Sequence, residues 1–467
     1  MLTLRRHYRE SSALWGTLVK WGLLGALVGV LCGVSSALFL HALEWATRTQ
    51  ETHPWLLFLL PFAGFGIGLV YHQFGKPVEG GSNLLLERIH DQRTATAIPV
   101  RLVPLVLFGT VATHLFGGSA GREGTAVQMG GTLANLLVRP FHLGRRDQRL
   151  LIMSGISGGF GAVFGTPLAG TVFGLEVLSV GQLGYGALIP CFVASCVGDL
   201  VCRELGIHHA VYRIGVQLPT PTPMLWLLTV LAGVLFAGVA FVFSELTDAI
   251  SGEMKRRVAY PPLRPVFGGI VVIALTFAVG TRDYLGLSLP LLQSAFSTQG
   301  VFLLAFALKL LFTAVTLGTS FKGGEVTPLF VIGATLGATF AKLTGQPTGF
   351  FAALGFVAVF AGAANTPLAC LLLGIELFGA PMGVPIAAVC IISYLLSGHR
   401  GIYASQRVGV SKASGILVRR GTSLREAREG AQRIPRGRQR SGVAGVGDNQ
   451  KIDGAQFAGE AVDNGTP

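Results

Sequence analysis

Two stretches, TPLAGTVFGLE at 166–176 and TPLACLLLGIE at 366–376, share Thr, Pro, Leu, Ala, Gly and Glu at a constant separation of 200 residues. A second pair, GREGTAVQMGG at 121–131 and GGEVTPLFVIG at 323–333, lies 202 residues apart. It aligns Gly121 with Gly323, Glu123 with Glu325, Thr125 with Thr327 and Gly131 with Gly333. Two matches at nearly one offset mark a tandem duplication, so the chain must fold as two related halves.

The duplicated material is apolar. Of 467 residues, 51% are hydrophobic and only 13% charged, with a mean hydropathy of +0.60. Soluble domains carry about one quarter charged residues, so this balance belongs to a membrane protein. Residues 16–47 exceed the roughly 20 residues that cross a bilayer core. Further apolar runs occupy about 55–74, 100–117, 148–178, 184–202, 223–244, 266–280, 300–318, 326–343, 348–377 and 383–397. Several are short or broken by Gly and Pro, the pattern of tilted or re-entrant half-helices. The 65 glycines suit close helix packing in lipid. The expected fold is an all-α polytopic membrane protein: an N-terminal segment 1–14, then repeats at about 15–210 and 222–410.

The net charge of +13 concentrates in RRHYR, RRDQR, KRR and the stretch from Arg400 to Arg440. Lys and Arg of this kind mark cytoplasmic loops, which places both termini inside and leaves no need for a nucleic-acid partner. Hydrophobicity collapses near 411, so 411–467 is expected to be a basic, disordered cytoplasmic tail. Cys32, Cys191, Cys196, Cys202, Cys370 and Cys390 all fall in apolar runs without metal-like spacing, so no metal or cofactor is expected. No cleavable signal peptide is apparent, and neither a nucleophile with its base nor HExxH appears, so an intramembrane enzyme is disfavoured.

GREGT (121–125) and GGEVTP (323–328) are glycine turns placed just before apolar helices. Helix starts expose unsatisfied N–H groups and partial positive charge. Two of them meeting from duplicated halves make an anion site near mid-bilayer. The turn EGGSNLLLERIH (79–90) adds Ser82 and Asn83 as side-chain donors. Glu176 and Glu376 hold equivalent positions in the repeats, a pattern that suits structure better than transport. Lys309 and Lys322 fall in or beside apolar runs, and Lys322 either raises the local potential, snorkels or pairs with Glu325. Arg122 is expected to anchor its loop through carbonyls, His114 to be a hydrogen-bonded packing residue, and His208 with His209 to lie in a polar loop.

These motifs resemble the CLC family of anion channels and anion/proton antiporters, whose chloride-handling members carry GSGIP, GREGP and GxFxP turns and a late pore-lining tyrosine. GSNLL (81–85), GREGT, GEVTP (324–328) and Tyr403 in HRGIYASQ stand in the corresponding places, and the resemblance covers roughly residues 15–410. It implies an antiparallel two-repeat fold of about eighteen helices and a homodimer with a pathway in each subunit. It makes Glu123 the gating and proton-transferring carboxylate. Ser82, Asn83, Gly121, Arg122, Gly124, Thr125, Glu325, Val326, Thr327 and Tyr403 become the anion-contacting set. Thr125 replaces Pro, Val326 replaces an aromatic, and Val177 follows Glu176 where chloride/proton antiporters have a second acid. These departures resemble the fluoride/proton antiporter branch, with chloride transport as the alternative because Ser82 matches the chloride pattern. Fluoride is smaller and more tightly hydrated than chloride, and Asn83, Thr125 and Thr327 would supply extra donors, although such hydroxyls also bond to their own backbone.

Overall fold

A computed structural model describes residues 2–91, 98–209, 219–297, 300–413 and 418–433. Residues 1–427 form one compact unit, and 428–467 a second, whose described part is the end of the last helix. Among the described residues there are seventeen α-helices. The first eight are α1 (Leu2–Thr52), α2 (Leu60–Phe74), α3 (Ser82–His90), α4 (Leu102–Leu115), α5 (Glu123–Leu136), α6 (Arg145–Phe164), α7 (Pro167–Glu176) and α8 (Leu188–Glu204). The next eight repeat them in order: α9 (Pro223–Arg257), α10 (Arg264–Val279), α11 (Leu289–Phe296), α12 (Ala305–Gly318), α13 (Val326–Thr344), α14 (Thr348–Ala364), α15 (Pro367–Phe378) and α16 (Gly383–Leu396). The duplication seen in two motifs therefore extends over whole halves.

Reciprocal contacts fix how the halves meet. Glu176, at the end of α7, accepts hydrogen bonds from the N–H groups of Leu368 and Ala369 at 3.1 and 2.8 Å. Glu376, near the end of α15, accepts from Leu168 and Ala169 at 2.9 and 2.8 Å. Each carboxylate caps the start of its counterpart's helix, so α7 and α15 run antiparallel. A carboxylate on free helix N–H groups matches the helix dipole and satisfies donors that lipid cannot. Each charge-assisted bond contributes about 1.5–3 kcal/mol. The expectation that these two acids are structural agrees with this geometry.

The sequence reading merges 148–178 and 348–377 into single apolar runs, whereas each is two helices. Gly165 (φ 71°) ends α6 and Asn365 (φ 58°) ends α14 in the left-handed region. Thr-Pro follows in both, with Pro as first helical residue. Proline lacks the N–H that would continue the previous helix, and its fixed φ suits a helix start. Among the described residues, six helices are long and apolar enough to cross a membrane. By contrast α4, α5 and α12 have 14 residues each, about 21 Å of rise against a core of about 30 Å.

Regular structure extends towards both ends. α1 is continuous from Leu2, so residues 2–14 are its first turns. Order does not stop at 411: Arg407–Val408 (β2) pairs in parallel with Ser179–Val180 (β1), Leu424 is buried with Val180 and Val408, and α17 spans Leu424–Arg433. Backbone bonds add to this small apolar cluster: Leu424 N donates to Gln406 O and Arg425 N to Ala404 O. Residues 434–467 lie outside the described residues.

Candidate functional site

The two glycine turns meet as an antiparallel backbone bridge. Gly121 N donates to Gly324 O at 2.6 Å and Gly324 N to Gly121 O at 2.8 Å. The approach requires glycine: a Cβ on Gly121 would meet Pro328 Cδ at 2.8 Å and one on Gly324 would meet Gly124 N at 2.7 Å. The bridge sets the start of α5 beside the start of α13, and Gly124 packs on Gly324.

Glu123, only 1% exposed, opens α5 and reaches across this junction. Its Oε2 accepts from Thr327 N at 3.0 Å and from Arg122 N at 3.2 Å, and its Oε1 accepts from the Thr327 hydroxyl. The carboxylate of one repeat thus occupies the helix-start donors of the other, where the dipole favours an anion. Arg122 departs from expectation, because its Nε faces the Glu123 carboxylate at 3.5 Å instead of carbonyl groups.

The predicted ligand set is only partly gathered. A cavity of about 150 Å³ is lined by Ser82, Asn83, Gln128, Lys322, Glu325 and Tyr403, among others. Ser82 Oγ accepts from Gln128 Nε2 at 3.2 Å, and Asn83 Oδ1 accepts from Ser405 N at 2.9 Å. A separate cavity of about 330 Å³ is lined by Arg122 with Arg48, His208 and His209. Glu123 and Thr327 line neither of these two cavities. Val326 is buried at the start of α13. The Thr125 hydroxyl shares a 2.7 Å hydrogen bond with Thr110 of α4, so it joins two helices.

Other polar residues resolve plainly. Lys322 does not pair with Glu325 but lies 4.1 Å from the Tyr71 ring centroid. His114 sets its ring nitrogens at 2.8 and 3.0 Å from the carbonyls of Thr110 and Ala120, the expected packing role. His209 faces Asp199 at 3.5 Å. Lys309 is fully buried, donating to Ser119 Oγ, Ser288 Oγ, Gly286 O and Tyr284 O at 2.8–3.2 Å, which ties the GREGT approach to the loop after α10. Sequence reasoning missed Tyr71 and Gln128. A glutamine five residues into α5, within an apolar stretch of the chain, is a readable signal, because lipid gives such an amide no partner.

The voltage gated chloride channel family model matches residues 63–398. A chloride/fluoride channel protein of Pseudomonas syringae pv. tomato is 50% identical over 404 residues, 85% of this chain and 88% of that one. An H(+)/Cl(-) exchange transporter ClcA of Cronobacter sakazakii is 27% identical over 412 residues, covering 81% and 86%. Among solved structures, a CLC-type fluoride/proton antiporter superposes with a TM-score of 0.79 at 34% identity, over 84% of this chain and 98% of the other. A slow cyanobacterial Cl-/H+ antiporter shares the fold, with a TM-score of 0.68 at 20% identity over 82% and 94%. With its paired glycine turns and crossed helix caps, this chain belongs to the voltage gated chloride channel (CLC) family.

Proposed function

We propose that this CLC-type anion/proton transporter of the membrane exports fluoride in exchange for protons, with Glu123 as its gate. One observation carries the reading: the Glu123 carboxylate sits on the N–H and hydroxyl of Thr327. A carboxylate holds such donors only while ionised, and an anion competes for the same donors. Protonation then frees the donors for an anion, and departure of the anion favours return of the charged side chain. A charge in this setting is costly unless it has work to do. Both termini lie in the cytoplasm and the protein works as a homodimer in this reading.

Fluoride is favoured over chloride by the Thr327 hydroxyl, which adds a strong donor for a small, tightly hydrated ion, and by the likeness to a fluoride/proton antiporter. Ser82 in the cavity wall supports the chloride alternative. Liposomes loaded with either halide and followed by ion-selective electrodes decide: fluoride efflux should exceed chloride efflux by about tenfold or more, a difference of about 1.4 kcal/mol. Faster chloride efflux would overturn the assignment.

The two threonines separate transport from packing. Thr327→Val keeps the backbone donor and removes the hydroxyl from Glu123, so proton coupling or halide preference should fall. Thr125→Val leaves Thr110 unpaired instead; it should cost about 1–2 kcal/mol of stability and leave halide preference unchanged. Flux ratios and thermal unfolding of both variants check this contrast.

A further inference from the structure

Tyr403 lines the cavity it shares with Ser82 and Glu325 yet belongs to no helix, so other contacts must hold its loop in place. Asn365, at the left-handed end of α14, donates Nδ2 to Arg400 O and to Gln406 Oε1, both at 3.0 Å. Gln406 in turn donates Nε2 to Val177 O at 3.0 Å and to Ala364 O at 3.2 Å. Ile402 N donates to Ala363 O at 2.9 Å. The remaining polar atom of Asn365, Oδ1, is taken by Lys412 Nζ at 2.5 Å. Lys412 also donates to Tyr394 O at 2.5 Å and Ser397 Oγ at 3.1 Å, and its Nζ stands 4.2 Å from the Tyr394 ring centroid. Its backbone N–H donates to His399 Nε2 at 3.2 Å.

We propose that Lys412 is a positioning residue for Tyr403: docked on Asn365, it latches the 400–406 loop against that cavity, and acid loosens the latch. The proposal rests on reading that cavity as the transport path. Docking surrounds the amine with neutral oxygens, so burial pushes its pKa from the ordinary 10.5 down to about 7. A released Lys412 returns to water and to its ordinary value. Between those two values the released form binds more protons than the docked form. Docking therefore weakens about tenfold per unit as pH falls from 10.5 towards 7, then levels off. His399 acts in the same direction, because burial and then the Lys412 charge hold its pKa below the usual value. Its Nε2 accepts the Lys412 N–H only while unprotonated. The titratable groups around the latch are Tyr394 and His399, with Glu176 sharing a cavity with Asn365 and Tyr394. Nearby Arg400 is engaged by Glu245 and the Phe241 ring.

Hydrogen exchange of the purified full chain, followed on amides 400–408 and corrected for intrinsic rates, tests the latch. Between pH 7 and 8.5 wild-type protection should rise about tenfold per unit. Lys412→Met and Asn365→Gly should be less protected and flat with pH. Asn365→Gly keeps the left-handed backbone, which guards against simple misfolding. Flat wild-type protection, or a pH slope surviving in both variants, overturns the proposal. In liposomes Lys412→Met should remove a step near pH 7 from the dependence of flux on the pH at the Tyr403 side. A latch seen by exchange in a protein moving neither halide would leave the latch standing and remove the transport reading. Unaltered exchange with normal flux would do the reverse.

Discussion

Glu123→Gln is expected to abolish proton movement driven by an anion gradient, by about a hundredfold or more, the scale on which a positioned acid–base group contributes. Glutamine keeps the length and shape of the side chain but neither carries a negative charge nor releases a proton. Its carbonyl still accepts one donor from Thr327, while its NH₂ must turn towards another N–H or hydroxyl. The side chain therefore competes less well with an incoming anion, and anion flux should persist and lose the part of its pH dependence that Glu123 confers. Stability should fall by about 1–3 kcal/mol, because one amide oxygen cannot serve all the buried donors that the carboxylate accepts from Arg122 and Thr327. The measurement is paired halide and proton flux from liposomes at several pH values. Proton pumping at the wild-type rate would show that the gate lies elsewhere.

The halves and their glycine turns were legible because repetition and local helix chemistry leave marks within a few residues. GREGT and GGEVTP could be matched by eye, and the structure joins them through Gly121 and Gly324. What the sequence hid depends on partners far along the chain. Thr125 reads as a donor at a helix start, but the bonding direction of a hydroxyl is set by its neighbour, here Thr110 on α4. Glu176 and Glu376 look like duplicated helix ends; that each caps the other's helix requires knowing that α7 and α15 are antiparallel neighbours. The breaks after Gly165 and Asn365 carried a local signal in Thr-Pro, yet unbroken hydrophobicity outweighed it. The region after 411 reads as disordered because it is rich in charge, Gly and Gln. Its order comes from Gln406, Lys412 and short backbone pairings, which composition does not register.

Gly324→Ala should be the most damaging single substitution at the junction. The added Cβ would lie 2.7 Å from Gly124 N, 3.3 Å from Gly124 Cα and 3.4 Å from Glu123 N. These are backbone atoms at the start of α5, so no side chain can swing away to make room. Relief requires the two turns to separate, which breaks the 2.6 and 2.8 Å bonds of the bridge. Buried backbone groups left without partners cost about 1–3 kcal/mol each. Destabilisation on the order of 3 kcal/mol is therefore expected. Separation also pulls Thr327 from the Glu123 carboxylate, so flux of either halide should fall about tenfold or more even in protein that remains folded. Gly238→Ala is the matched control, because a Cβ there meets nothing within 4 Å in the middle of α9. In a helix interior it should be neutral or stabilise by about 0.5–1 kcal/mol. Thermal unfolding in detergent, with halide flux on the folded fraction, compares the pair. If Gly324→Ala unfolds and transports like Gly238→Ala, the bridge does not hold the two half-sites together.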